Sequence, residues 1–110
     1  MNNIYEIFTT EEFDKDLYRL DNSEKLRVYK IFKQLEEKGG SIGKPLSRSF
    51  LREKKLNGKR IYFLFYEEYK IILVIAMSDK KTQKLTINEI ITNIEYYDDH
   101  IKQLLKNKTN

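Results

Sequence analysis

The stretch GKRIYFLFYEEYKIILVIAMSDKKTQK, residues 58–84, places two strongly apolar runs between basic residues at either end. The runs cover residues 59–66 and 70–77, and the three residues that separate them make a connection of hairpin length. Asn57-Gly58, which precedes the first run, is typical of a type I′ turn because both residue types tolerate positive φ. The stretch therefore predicts the central hairpin of a sheet, with cations clustered before and after it.

Further strands and helices are predicted on the N-terminal side of this hairpin. Residues 49–56 form a third run of strand character, so the three runs together predict an antiparallel meander. Residues 4–8, IYEIF, alternate with the period of two that a half-buried strand shows. Between these strands, the apolar spacing of residues 10–38 predicts a helical hairpin that stops at Gly39-Gly40.

Capping boxes indicate where the helices begin, because each pairs an N-cap side chain with an acidic residue three positions later. They are Thr9-x-x-Glu12, Asp21-x-x-Glu24 and Thr86-x-x-Glu89. Behind the last one, apolar residues from Ile87 to Leu105 follow helical spacing and predict a single long C-terminal helix. The order β-α-α-β-β-β-α predicts one α+β domain over residues 1–110. Its helical hairpin and C-terminal helix are expected on one face of a small, mostly antiparallel, curved sheet.

The composition excludes several classes of site. The chain has 110 residues and no cysteine, so disulfides, thiolate catalysis and cysteine-type zinc sites are excluded. The single histidine, His100, is expected on the surface and argues against a histidine-based metal centre. The paired acids Glu67-Glu68 and Asp98-Asp99 lack the spacing of a two-metal site, so no metal and no cofactor are expected.

The sequence carries no signal for membrane insertion or export. Its longest apolar runs fall well short of the ~20 residues that a membrane span requires. The N-terminal residues MNNIYEIF lack the basic-then-apolar layout of a signal peptide. A cytoplasmic location is therefore the expectation.

Charge is distributed unevenly along the chain, although the formal net charge is only +4. Residues 44–84 contain eleven Lys and Arg against four acids, a net of +7, and the remaining residues sum to −3. Because phosphate neutralisation drives binding to nucleic acids, this asymmetry indicates a polyanionic partner for the middle of the chain. The alternative is a solvated, lysine-rich surface.

Four motifs follow one another along residues 4–100 in an order that resembles a known family. They are the helical start EEFDKDLYRL, the basic strand LREKKL, the strand GKRIYFLFY with arginine just after a turn glycine, and the loop DKKTQK. Together they resemble the RelE/ParE superfamily of toxins, and the KKTQK loop is most similar to the HigB-like, phage-derived branch. The resemblance implies a RelE-like fold.

The resemblance also implies a function and partners. The chain would be the toxin of a type II toxin–antitoxin system, a metal-independent mRNA interferase that cleaves mRNA in the A site of the 30S subunit and so inhibits translation and growth. A cognate antitoxin protein would hold it inactive. The ParE branch poisons DNA gyrase instead, so two alternatives stay open. These are a non-catalytic gyrase inhibitor and an inactive homologue that acts as an antitoxin-binding module.

The cations around the predicted hairpin are expected to flank a shared cleft. RNA cleavage by 2′-hydroxyl attack needs a base, an acid and stabilisation of a highly charged phosphorane, which preorganised cations supply. Arg60 suits that stabilisation because its planar fork can bind two phosphate oxygens, and its position beside a turn predicts a solvent-directed guanidinium. The proton-transfer candidates are Lys55 or Lys54 on one side of the cleft and Lys81 on the other. The predicted catalytic residues are Arg60, Lys55, Lys54 and Lys81, and the predicted RNA-binding residues are Arg52, Lys80, Lys84, Tyr62 and Tyr66.

Some of these residues allow two interpretations. Tyr62 and Tyr66 lie on the same side of their strand as Arg60, so they either stack on a base or fill a second buried face of the sheet. Glu53 is either a general base or the partner of a structural salt bridge. Ile87 stands where the RelE branch carries a tyrosine that takes part in catalysis, which puts retained activity in question.

The predicted C-terminal helix is longer than the sheet that it would cover. A helix of nineteen residues measures about 28 Å, whereas strands in domains of this size run ~17–20 Å. The end of the apolar stripe, near Ile101, Leu104 and Leu105, is therefore expected to lie exposed or loosely packed. That end would be available to the antitoxin or to a second copy in a homodimer.

Overall fold

The computed structural model describes residues 4–39, 42–46 and 50–108, which contain a mixed sheet. Its strands are β1 (Glu6–Thr9), β2 (Lys44–Pro45), β3 (Leu51–Leu56), β4 (Lys59–Tyr66) and β5 (Ile71–Asp79). They lie side by side in the order β1-β5-β4-β3-β2. β1 runs parallel to β5, and the other neighbouring pairs are antiparallel. The predicted meander and the α+β class are confirmed.

Helices cover both faces of this sheet, whereas the sequence pattern predicted helices on one face. α1 (Glu11–Tyr18) and α2 (Asn22–Lys38) pack on one face, and α3 (Gln83–Thr92) and α4 (Ile94–Lys108) pack on the other. The reason lies in β4, where four consecutive side chains, residues 61–64, are almost completely buried. A strand that is apolar on both sides requires cover on both sides. No helix in the described ranges is long and apolar enough to cross a membrane.

The turn and cap signals are confirmed at two positions and are wrong at two others. Asn57 and Gly58 have φ of 49° and 83°, as a type I′ turn requires. The side chain of Asp21 accepts a hydrogen bond from the backbone N–H of Glu24 and caps α2. However, α1 is capped by Thr10 instead of Thr9. The predicted cap at Thr86 lies inside α3, which begins three residues earlier.

The predicted single C-terminal helix is divided at Asn93. The backbone of Asn93 leaves the helical region, with φ of −106° and ψ of 19°, and its side-chain amide donates to the carbonyl of Glu89 at 2.8 Å. An asparagine side chain competes in this way with the backbone bonds of a helix. Beyond the break, α4 packs in the same cluster as residues of β4 and β5, where Ile101 is completely buried and Leu104 is half-buried. The expectation that Ile101 is exposed is therefore wrong.

Gly39 ends α2 in a conformation that a larger residue should not tolerate. Its φ is +52°, and a Cβ added there would collide with the ring of Tyr5. Gly58 also has positive φ, at +83°, but an added Cβ would meet nothing within 4 Å. We expect Gly39→Ala to lower the free energy of unfolding by at least ~1–3 kcal/mol through backbone strain, with a further loss from the clash. The comparison is urea unfolding of Gly39→Ala and Gly58→Ala. Equal losses in the two variants would contradict the clash.

Candidate functional site

The strand register gathers a basic row at the turn end of the sheet. Lys55 on β3 lies opposite Arg60 on β4, and Arg60 lies opposite Ser78 on β5. Side chains directly opposite one another across strands are close neighbours on the same face. Arg60 points to the same face as Tyr62, two positions further along β4, and Tyr62 packs in the cluster beneath α3 and α4. The row therefore lies on the face that α3 and α4 cover. A β-bulge shifts the β4–β5 pairing after Tyr62, and it is this shift that brings Ser78 into line with Arg60.

The loop that carries two further lysines leaves β5 at the same end of the sheet. Its conformation is held by Asp79, whose Oδ1 accepts hydrogen bonds from the backbone N–H and the hydroxyl of Thr82, both at 2.9 Å. The backbone bond from Thr82 lowers the pKa of Asp79 below its ordinary value. Lys80 and Lys81 lie in this loop and Lys84 lies in the first turn of α3, and all three are exposed. The structure thus places the loop lysines next to the strand end that holds Lys55 and Arg60.

Arg60 is much less exposed than its place beside a turn predicted. Its side chain is 16% exposed, and its Nε lies 3.9 Å from Oε1 of Glu53, whose side chain is 5% exposed. That separation is longer than a hydrogen bond. Nε is fully buried and has no hydrogen-bond partner among the described residues. The amide of Gln83, the first residue of α3, donates to Oε2 of Glu53 at 3.2 Å. Glu53 therefore forms the structural ion pair that was one of its two interpretations.

The two tyrosines on β4 fill the second buried face of the sheet. Tyr62 is completely buried, and its hydroxyl lies 2.7 Å from the hydroxyl of Ser78. Burial raises the pKa of the Tyr62 phenol. Tyr66 is half-buried, donates a hydrogen bond to Asp98 at 3.0 Å, and has a pKa raised chiefly by burial. The completely buried Tyr62 offers no face to an RNA base, and Tyr66 packs against the same cluster, so both tyrosines follow the second of their two interpretations, a filled sheet face.

Arg52 and Lys54 lie on the opposite face of the sheet from Arg60. Successive side chains of a strand point to opposite faces, and Lys54 pairs with Ile61, which belongs to the core beneath α1 and α2. The guanidinium of Arg52 lies over the ring of Phe65, with its carbon 5.4 Å from the ring centroid. The register therefore brings Lys55 and Arg60 together, with the Lys80-Lys81 loop at the same end of the sheet, and leaves Arg52 and Lys54 on the other face.

Two residues of this site were not predicted, namely Ser78 and Gln83. Ser78 could not be found because its alignment depends on the bulge in β5. A usable signal existed for the Lys55–Arg60 pair, because a two-residue turn at Asn57-Gly58 fixes which residues face each other.

No group of three or more potential metal ligands occurs within the described ranges. His100 is exposed on α4, as predicted.

Comparisons with known proteins give matches among solved structures alone. No protein-family model and no curated protein matches the sequence. A chain of the RelBE2 toxin–antitoxin complex from Mycobacterium tuberculosis aligns with a TM-score of 0.60 and 19% identity over 69% of this chain and 98% of that chain. A mutant of the E. coli toxin RelE in the free state aligns with a TM-score of 0.65 and 15% identity, over 76% and 90% of the two chains.

An archaeal relative shows the same likeness. A chain of the RelE–RelB complex from Pyrococcus horikoshii aligns with a TM-score of 0.60 and 15% identity, over 70% of this chain and 96% of that chain. At identities of 15–19% such alignments describe the course of the backbone and not the chemistry of a site. They cover nearly the whole of each RelE chain, and the strand order and helix placement described above account for the match. This chain therefore has the fold of the RelE toxins.

Proposed function

We propose that this protein is the toxin of a type II toxin–antitoxin system and that it cleaves mRNA on the ribosome. The observation that carries the proposal is the basic row at the turn end of the sheet, where Lys55 faces Arg60 beside the Lys80-Lys81 loop. The row occurs on a RelE fold, and the solved relatives of that fold are described as toxins. The KKTQK loop is the basis for assigning it to the HigB-like branch.

The row supplies groups that RNA cleavage needs. When a ribose 2′-oxygen attacks the adjacent phosphorus, a base takes the proton of that hydroxyl and an acid protonates the leaving 5′-oxygen. The products are a 2′,3′-cyclic phosphate and a 5′-hydroxyl. Lys55 and Lys81 are the proposed proton-transfer groups, and Arg60 is the proposed contact to the phosphate oxygens. Lys80 and Lys84 hold the RNA backbone through charge.

The decisive experiment is induction of the protein in a growing host, followed by mapping of mRNA 5′ ends. New ends within translated codons are the expected result. Intact mRNA together with DNA breaks would overturn the ribonuclease and favour a gyrase poison. An Arg27→Lys variant should give the same new ends as the wild type, because Arg27 is an exposed arginine on α2, distant in sequence from the basic row.

One feature favours the second candidate, an inactive homologue that binds antitoxin. Ile87 packs half-buried in the cluster beneath α3 and α4, at the place where the RelE branch carries a catalytic tyrosine. The phenol of Tyr62, which could replace it, is completely buried. If induction neither cuts mRNA nor breaks DNA, while the purified chain binds the product of a neighbouring small reading frame, this candidate replaces the first.

The antitoxin is proposed to combine acidic and apolar contacts. Acids would compete with RNA for the basic row, and buried apolar area would supply affinity. Several solved relatives are complexes of RelE with RelB. We expect a cognate antitoxin to bind the purified chain, with the half-buried Leu104 and Leu105 at the end of α4 as part of the contact or of a homodimer.

The proposed role of Lys80 and Lys81 leads to a separate prediction about RNA binding. In the double variant Lys80→Ala/Lys81→Ala, the slope of log affinity against log salt should fall by roughly one to two, because up to two phosphate contacts are lost. Binding of a fluorescent RNA oligonucleotide at several salt concentrations measures the slope. The matched control is Lys30→Ala/Lys33→Ala, two exposed lysines on α2. An unchanged slope in the loop variant would show that these lysines are only solvated.

A further inference from the structure

Glu53 is the most deeply buried acid in the described part of the chain, and it lies two positions before Lys55 on β3, next to the basic row. The amide of Gln83 donates to Oε2 of the Glu53 carboxylate at 3.2 Å and to Oε1 at 3.5 Å, and Oε1 also lies 3.9 Å from Nε of Arg60. Directly across the β3–β4 pair lies Tyr62, which is completely buried. With 5% of its side chain exposed, Glu53 has almost no surface that an RNA phosphate could reach. A direct role in proton transfer to substrate is therefore not supported.

The Nε of Arg60 is a buried donor that has no acceptor within hydrogen-bond distance among the described residues. Buried donors are almost always paired in folded proteins, so an unpaired one in a site requires an explanation. The carboxylate of Glu53 has an oxygen 3.9 Å away from this Nε. Catalytic hydrogen bonds are often long in the ligand-free protein and shorten when the ligand binds.

The guanidinium of an arginine can bind two anions at the same time. Arginine has five N–H donors in a fixed plane, one on Nε and four on the terminal nitrogens. A carboxylate that engages Nε fixes the orientation of the plane and leaves terminal donors for a second anion. Gln83 fixes Glu53 in turn, and it does so from α3, the helix that follows the lysine loop.

We propose that Glu53 is a positioning residue for Arg60, and that its carboxylate accepts a hydrogen bond from Nε when the terminal nitrogens bind a phosphate group of RNA. Gln83 holds the carboxylate in place and connects the start of α3 to the arginine. The inference rests on the proposed ribonuclease function, in which Arg60 contacts the phosphate.

The test compares Glu53→Gln with Glu68→Gln, which removes the same charge from an exposed position at the far end of β4. The first readout is the Nε–H proton signal of Arg60 in nitrogen-edited NMR, assigned by its disappearance in Arg60→Lys. The probe is an RNA oligonucleotide with 2′-deoxy substitution at the cleavage position, so that it binds without reacting. We expect this oligonucleotide to shift the Nε–H signal and slow its exchange in the wild type and in Glu68→Gln, and to do neither in Glu53→Gln.

The second readout is the rate of mRNA cleavage and its dependence on pH. A misplaced arginine should lower the rate roughly 10- to 100-fold, since small displacements of a positioned group have effects of that size. The shape of the pH profile should not change, whereas loss of a general base would remove its acidic limb. Glu53→Asp, which keeps the charge, should recover part of the rate. Gln83→Ala should lower the rate less than Glu53→Gln does.

The outcomes separate this proposal from the function on which it rests. If the wild type cuts no RNA, the ribonuclease assignment fails, but the NMR signal still reports whether Glu53 fixes Arg60 around a bound phosphate. If Glu53→Gln behaves like Glu68→Gln in both readouts, Glu53 is a structural ion pair only and the proposal is wrong. If Glu53→Gln does not fold, the same readouts are taken on Gln83→Ala, and an unchanged signal and rate there would overturn the proposal.

Discussion

Arg60→Lys is expected to abolish the growth arrest that the proposed function predicts for the wild type at the same expression level. Lysine keeps the positive charge near Glu53 but replaces a planar fork with a single ammonium, so the two-point contact to phosphate is lost. Losing one preorganised contact to the transition state commonly costs ~3–4 kcal/mol, which is about a hundred- to a thousand-fold in rate. Growth after induction, with the expression level checked by blotting, measures the effect.

The lysine variant is preferable to alanine because of the burial around Arg60. Alanine would leave the carboxylate of Glu53, 5% exposed, without its cationic neighbour, and an uncompensated buried charge destabilises a fold strongly. A loss of activity could then result from unfolding. Arg27→Lys is the matched control, since Arg27 is exposed on α2. Arrest by Arg60→Lys at the wild-type level would remove Arg60 from the proposed site.

Ile101→Ala is expected to cause the largest loss of stability among the changes considered. Ile101 is completely buried in the core between α4 and the sheet. Truncation of a buried isoleucine to alanine typically costs ~2–5 kcal/mol, because apolar contacts are lost and a cavity remains. Urea unfolding measures the free energy of unfolding directly.

The control for this prediction is Leu85→Ala on α3. Leu85 is 60% exposed, so the same kind of truncation should change the free energy of unfolding by no more than about 0.5 kcal/mol. Similar losses in the two variants would mean that α4 is not anchored through Ile101. A large loss at Ile101 alone would show that the apolar stripe is core at this position and that a partner could reach only its last residues.

The sequence determines the meander more closely than it determines the helices. β4 occupies the predicted residues 59–66, because Asn57-Gly58 fixes one end and the apolar run fixes the other. The helix break at Asn93 was not predicted, since the apolar spacing continues through Ile91 and Ile94 without interruption. At Asn93 the backbone leaves the helical region and the side-chain amide bonds the carbonyl of Glu89, and apolar periodicity carries no information about either feature.

The candidate site was predicted in its composition and only partly in its geometry. The sequence shows cations on both sides of a hairpin, and the structure brings Lys55 and Arg60 together. Arg52 lies on the other face of the sheet. This could have been predicted, because side chains alternate between faces along a strand, and Arg52 and Lys55 are an odd number of positions apart on β3. The sequence left open whether Tyr62 stacks on a base or fills a buried face, and the structure decides for burial because α3 and α4 cover that face.

The parallel pairing of β1 with β5 has a consequence for how the chain folds. Thr10, just after β1, donates a side-chain hydrogen bond to Ile75, 65 residues away along the chain. The meander β3-β4-β5 pairs strands that are adjacent in sequence, so its loops close at low entropic cost, whereas closing the loop between β1 and β5 costs more. We expect the meander to form early and the N-terminal strand and its helical hairpin to dock late. During synthesis, β1 has no partner strand until β5, residues 71–79, has left the ribosome, so the sheet of a nascent chain stays incomplete until that point.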